Sequence, residues 1–191
     1  VLDKGKIVFD GDVDEGIARY LATKSQDSDC VDYSHYKRDN WYKRENLRLQ
    51  EVRMLSSRQG VLERREPVVL RYVIKAEQPA ESVGIRLEIR DEVGNPLAAA
   101  CVYDLELSRG TAAFTVRYDL SVLAPGKHGS YFTVFTLGEG GAHTVEDWVP
   151  GMTFKIVDTL LENETEWNTV AWGPIQLPNA VLTEKTESYH D

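Results

Sequence analysis

The sequence predicts an all-β protein built as an antiparallel β-sandwich with a short non-sandwich segment in front of it. Three observations carry that reading. Several short segments alternate apolar and polar residues with a period of two, turn signals separate them, and helical periodicity is almost absent after residue 46. A sandwich of about 100 residues or more buries an adequate core without disulfide staples.

The chain divides into three zones. In residues 1–24, Lys6-Ile7-Val8-Phe9 reads as a short strand entered through Gly5 and left through Asp10-Gly11, a hairpin-type turn pair. Asp12 or Asp14 then caps an expected helix over 13–22, with Val13, Ile17, Tyr20 and Leu21 on one face. Two such elements cannot bury their own apolar side, so they read as the end of something larger. Residues 25–46 are polar and without sustained periodicity, and read as a linker. Its basic-aromatic run, Tyr36-Lys37-Arg38-Asp39-Asn40-Trp41-Tyr42-Lys43-Arg44, has the composition of a single-strand nucleic-acid binder, or of an arm docked on its own domain. The net charge of −9 favours the docked arm and argues against a nucleic-acid partner.

Residues 47–191 form the sandwich zone. Leu47, Leu49 and Val52 open it, and residues 56–60 make a turn. A strand over 68–74 follows Pro67. The next, over 83–89, places Val83, Ile85, Leu87 and Ile89 on one face and Gly84, Arg86, Glu88 and Arg90 on the other. A turn at 91–96 and a strand over 113–120 come next, with Phe114, Val116, Tyr118 and Leu120 inward. Pro125-Gly126 then turns the chain into a strand over 131–137. Residues 152–157 read as another strand, and residues 169–183 as one or two more, interrupted by Pro174 and Pro178.

Composition narrows the function classes. A hydrophobic fraction of 42% and a charged fraction of 28% are those of a globular protein. No apolar run approaches the roughly 20 residues of a membrane span, and Val1-Leu2-Asp3-Lys4 does not start a secretory signal. Cys30 and Cys101 are too few and too far apart for a disulfide framework or a zinc cluster, so reduced thiols and a cytoplasmic setting are expected.

One pattern points further. Leu2-x-x-Gly5-Lys6-Ile7-x-x-x-Gly11-x-x-x-x-x-Ile17-x-x-Tyr20 resembles the closing hairpin and helix of an ABC-transporter ATPase domain. The run Leu120-x-x-Leu123-x-Pro125-Gly126, then Tyr131-Phe132-Thr133-Val134, then Asp147-x-x-x-Gly151-Met152-Thr153-Phe154-Lys155-Ile156-Val157, is similar to the domain appended to such ATPases in exporters of polysaccharide. The family resembled is the Wzt-type ATP-binding subunit of O-antigen ABC exporters. The resemblance implies an immunoglobulin-like sandwich that recognises the exported glycan at its non-reducing end, and a partnership with the membrane-spanning exporter subunit through the parent ATPase. It also implies a homodimer, with strand exchange through the segment Trp172 to Leu182. The alternative is a structural dimerisation module that binds no glycan. No Gly-x-x-x-x-Gly-Lys-Ser/Thr loop is present: Gly11 and Gly16 have its spacing, but Ile17 stands where the lysine must be. The chain is therefore expected to be non-catalytic, with no cofactor.

Candidate site residues follow from what a sugar needs, namely flat rings for its C–H faces and planar polar groups for its hydroxyls. If Phe132 and Val134 face the core, Tyr131, Thr133 and Phe135 face outward and require a cover, which is a swapped strand, a loop or a ligand. Tyr131 and Phe135 with Arg71 and Arg86, joined by Thr133 and by Trp148 in an expected loop, make the candidate glycan site. The same cations can equally be a solvated face of charge pairs. Trp167 and Trp172 fit a dimer contact or the core. His143-x-x-Glu146-Asp147 is a weak metal pattern, and no metal is expected.

Overall fold

A computed structural model describes residues 2–3, 6–7, 10–11, 29–38, 46–57, 60–160 and 165–178. Strand β1 (Leu2–Asp3) pairs antiparallel with β2 (Lys6–Ile7), which begins the strand expected over 6–9, whereas the hairpin-type turn is expected after that strand, at Asp10-Gly11. The helix expected over 13–22 lies outside the described residues.

Among the described residues, nine strands form two facing sheets. The four-stranded sheet runs β3 (Cys30–Asp32), β4 (Leu47–Met54), β6 (Val68–Ala76), β9 (Gly110–Tyr118). The five-stranded sheet runs β5 (Val61–Glu63), β11 (His143–Val157), β10 (Gly126–Leu137), β7 (Ala80–Arg90), β8 (Pro96–Leu107). All neighbours are antiparallel except β11 and β5, which are parallel, so the larger sheet is mixed rather than purely antiparallel. The core lies between the sheets and takes the alternate residues that period two predicts. It holds Leu70, Tyr72 and Ile74 from β6, Val83, Ile85, Leu87 and Ile89 from β7, and Phe132 and Val134 from β10. The buried hydroxyls of Tyr72 and Tyr118 satisfy one another at 2.9 Å.

The sandwich begins earlier than residue 47. Within the segment read as a linker, β3 pairs with β4, Tyr33 is buried, and its hydroxyl donates to the Pro150 carbonyl at 2.7 Å. Short polar flanks hid this strand, because a three-residue element shows no periodicity. Strand β5 escaped for the same reason. Strand β8 escaped because an edge strand of half-exposed Leu97, Ala98, Ala100 and Val102 has no clean polar face. Strand β11 starts at His143 rather than 152, so Trp148 lies mid-strand and not in a loop.

Residues 169–172 are not a strand but one helical turn, α1 (Thr169–Trp172), capped by the Asn168 side chain accepting from Ala171 N–H. Ile175 then forms an antiparallel bridge with Leu123 of the same chain.

His128 of β10 is buried, with Nε2 3.0 Å from the Ala124 carbonyl. Burial pushes its pKa below the ordinary histidine value, against the opposing pull of that carbonyl and of Glu92 and Asp91. The unfolded chain therefore takes a proton near pH ~6.5 that the folded chain resists, so this contribution is full above that pH and is lost as pH falls below it. Urea unfolding should show a falling midpoint from about pH 7 to about pH 5.5, and His128→Gln should flatten that slope.

Candidate functional site

The outer face of the five-stranded sheet gathers most of the candidate residues, and the strand registers say why. Tyr131 of β10 stands opposite Glu88 of β7, Thr133 opposite Arg86, and Phe135 opposite Gly84. On the other side of β10, Thr133 stands opposite Trp148 of β11. Residues directly opposite share a face, so one cross-section of three strands lines up Arg86, Thr133 and Trp148.

Two ring stacks flank a polar centre. Tyr131 lies parallel to Trp148 with centroids 4.6 Å apart, and the Arg90 guanidinium covers the Tyr131 ring at 4.5 Å. Phe135 lies parallel to His143 at 4.7 Å and meets the edge of Tyr103 at 5.8 Å. Between the stacks, Glu88 is the hub. It accepts from Arg86 Nε at 3.0 Å, from the Thr133 hydroxyl at 3.1 Å and from Arg90 Nη2 at 3.2 Å. Arg86 Nη2 donates to the Thr133 hydroxyl at 3.3 Å. Burial raises the Glu88 pKa, but the hydrogen bonds from Arg86 and Thr133 and the arginine charges outweigh it and leave it below the usual glutamate value.

The expected cover over the rings is settled for one of them. Phe135 points outward yet is 0% exposed, because Tyr103 and His143 close over it and Gly84 leaves room beneath it. Thr133 is 0% exposed under Arg86 and Glu88. Tyr131 and Trp148 are half-buried, and Tyr103 is 45% exposed, so all three contribute to the accessible aromatic surface. Arg71 is not brought here. It sits on β6, on the outer face of the opposite sheet, 3.6 Å from Glu51.

Alternation within one unpaired sequence cannot reveal which sheet a strand joins, and that is why Arg71 and Arg86 looked equivalent. Tyr103 was missed with its strand. Arg90 and Glu88 were visible only as outward alternates of β7.

His143, Glu146 and Asp147 do not converge. His143 stacks on Phe135, Glu146 lies 3.4 Å from the Thr136 hydroxyl, and Asp147 faces the interior. Among the described residues, no group of three or more His, Cys, Asp or Glu side chains is placed to hold a metal ion.

A glycosidase acid needs a raised pKa, whereas Glu88 is lowered and already accepts from three side chains. Concave space also lies elsewhere among the described residues: a mostly apolar cleft of about 280 Å³ lined by Asp91, Leu97, Pro125, His128 and Pro174, and one of about 250 Å³ lined by Lys155, Asp158, Glu166 and Trp167.

Comparison with known proteins bears on the fold. No protein-family model matches the chain, and no curated protein matches it. A crystal structure of the C-terminal domain of Wzt superposes with a TM-score of 0.56 at 14% identity, covering 83% of this chain and 97% of that one. In fold, the chain is similar to the Wzt C-terminal domain. A β-glucosidase from Listeria innocua in complex with laminaribiose gives a TM-score of 0.35 at 16% identity, over 60% of this chain and 17% of that one. The ligand-binding region of serine-glutamate repeat protein A of Enterococcus faecium gives 0.28 at 12%, over 59% and 98%. These last two are too distant to carry an argument, and the Wzt likeness, at its low identity, establishes architecture alone.

Gly84 gives the site a direct structural test. A Cβ built there would sit 2.2 Å from Phe135 Cζ, so Gly84→Ala must expel the ring. The substitution should cost roughly 1–3 kcal/mol in chemical denaturation. It should also remove the ring-current shift of the His143 proton signals.

Proposed function

We propose that the chain is a non-catalytic polysaccharide-recognition module that holds an O-antigen glycan, by its non-reducing end, for export by an ABC transporter. The observation that carries the reading is the Arg90–Tyr131–Trp148 stack set beside the Arg86–Glu88–Thr133 network. Rings offer C–H contact to a pyranose, and guanidinium and carboxylate groups offer paired hydrogen bonds to its hydroxyls. The fold likeness to the Wzt C-terminal domain and the transporter-like pattern of residues 2–20 support it. Among the described residues no helix is long and apolar enough to cross a membrane. On this reading the module works at the cytoplasmic face of the inner membrane, beside the exporter's membrane-spanning subunit.

Calorimetric titration with the O-antigen polysaccharide of the source organism tests the proposal. Wild type should bind. Tyr131→Ala and Trp148→Ala should each weaken binding about tenfold, equivalent to roughly 1.4 kcal/mol, with the fold intact by circular dichroism. Arg71→Ala, on the opposite sheet, should leave affinity unchanged. Absence of any binding by the wild-type chain would sink the reading.

A second reading, homodimerisation through the C-terminal segment, is favoured by large apolar side chains left open there: Val170 is 100% exposed, Leu177 71% and Trp172 53%. Of the segment expected to exchange, residues 172–178 are described and carry the end of α1 and the bridge of Ile175 to Leu123 of the same chain, while residues 179–182 lie outside the described residues. Light scattering should give a dimer mass for the full chain and a monomer mass after removal of residues 177–191. An unchanged mass refutes this reading.

A further inference from the structure

Asp147 and Trp148 are consecutive residues of β11 and point to opposite faces of the sheet. Trp148 stacks on Tyr131 outside, while Asp147 is 1% exposed inside. The Asp147 carboxylate is held from three directions. Arg38 donates to it through Nε at 3.2 Å and Nη2 at 2.9 Å, the Leu49 backbone N–H donates at 2.9 Å, and Arg48 Nη1 lies at 3.5 Å. Arg38 also donates to the carbonyls of Tyr33 at 2.9 Å, Tyr36 at 3.0 Å and Leu49 at 2.7 Å. A single guanidinium thus joins the arm of residues 29–38 to β4 and β11.

Both strands are bulged at this point. In β11, Asp147 pairs with Val134 but Val145 with Phe135, leaving Glu146 as an extra residue. In β4, Leu49 pairs with Ile74 but Glu51 with Val73, leaving Gln50 extra. A bulge interrupts the ladder and lets the strand bend. Arg38 and the Asp147 carboxylate bond to one another and to Leu49, so they join the residues that flank the two bulges. β10 and β11 have a second register shift between Gly129 and Tyr131, and the one at Glu146 decides the side on which His143 falls relative to Trp148. His143 and Trp148 are an odd number of residues apart and would project to opposite faces of an uninterrupted strand, yet they stack on Phe135 and Tyr131 of the same face.

We propose that Arg38 and Asp147 are positioning residues of the glycan face: docking of the arm holds the Glu146 bulge, the bulge sets the Tyr131–Trp148 stack, and glycan affinity therefore depends on the arm being docked. The affinity half of this statement rests on the proposed function; the geometry of the stack does not. The arm is the segment through which the N-terminal zone connects to the sandwich. Release of that segment reaches the outer face through one strand residue.

The test is ¹⁹F NMR of the full chain labelled with 5-fluorotryptophan, with the Trp148 resonance assigned by Trp148→Phe. The Arg38→Gln/Asp147→Asn double variant removes this charge pair together and leaves Arg48, whose side chain is 22% exposed, as the remaining cation beside residue 147. Its Trp148 resonance should move or broaden, those of Trp167 and Trp172 should stay, and amide exchange across 29–38 should accelerate. Arg38→Lys, which keeps the charge and loses the fork, should give a smaller displacement, and it decides the matter if the double variant does not fold. Affinity for the O-antigen polysaccharide should fall at least tenfold in the double variant. A Trp148 resonance that does not move although the arm amides exchange freely overturns the proposal. So does a common shift of all tryptophan signals, and so does wild-type affinity in the double variant. A displaced Trp148 resonance in a protein whose wild type binds no polysaccharide leaves the clamp standing and removes the glycan reading alone.

Discussion

A carboxylate buried between two sheets must be met by donors, and Asp147 accepts from Arg38 and from the Leu49 backbone N–H, both outside its own sheet, with the Arg48 guanidinium 3.5 Å away as a second cation. That requirement organises the molecule around it. It recruits residues 29–38, otherwise a polar stretch with little to bury, into the sandwich. It also ties the two sheets together where each is locally bulged, and where a ladder alone would leave the backbone loose. Tyr33 adds a second fastening a few residues away, through Pro150 of the same strand.

The outer face inherits its form from that constraint. Strand alternation by itself would divide the aromatic side chains of β11 between core and solvent. The extra residue at Glu146 turns His143 and Trp148 to one side, each against a ring of β10. Between them Arg86 and Arg90 both pair with Glu88, which holds the three side chains against one another. One of the rings serves the sheet itself. Phe135 fills the volume that Gly84 leaves open and is sealed by its neighbours, so it supports the face without presenting itself to solvent.

Much of the sandwich was legible from residues alone. The strands containing Val83 to Ile89, Val68 to Ile74 and Phe114 to Tyr118 alternate because one side is packed in the core and the other is wet, and that asymmetry is written in the sequence. Strands without the asymmetry left no trace. β8 is a half-exposed edge, while β3 and β5 are too short to show a period. Residues 169–172 looked like strand from Val170 and Trp172, but Asn168 capped them into a helical turn. For the site, Tyr131, Thr133 and Phe135 could be assigned to one face of one strand from parity. Their neighbours could not, because pairing between distant strands is chosen by packing. It joined Arg86 and Trp148 to them and sent Arg71 to the other sheet.

By itself the sequence determined the all-β class, the inward set of most central strands and the likeness in pattern to a polysaccharide exporter's appended domain. Each of these depends on local alternation or on short motifs, which the chain carries within a few consecutive residues. Only the tertiary structure decided the mixed sheet, the docking of Arg38 on a carboxylate 109 residues away, and the meeting of Tyr131 with Trp148 and Arg90. Those outcomes turn on register, and a single bulge reverses the facing of every residue beyond it, so no local reading of the chain anticipates them.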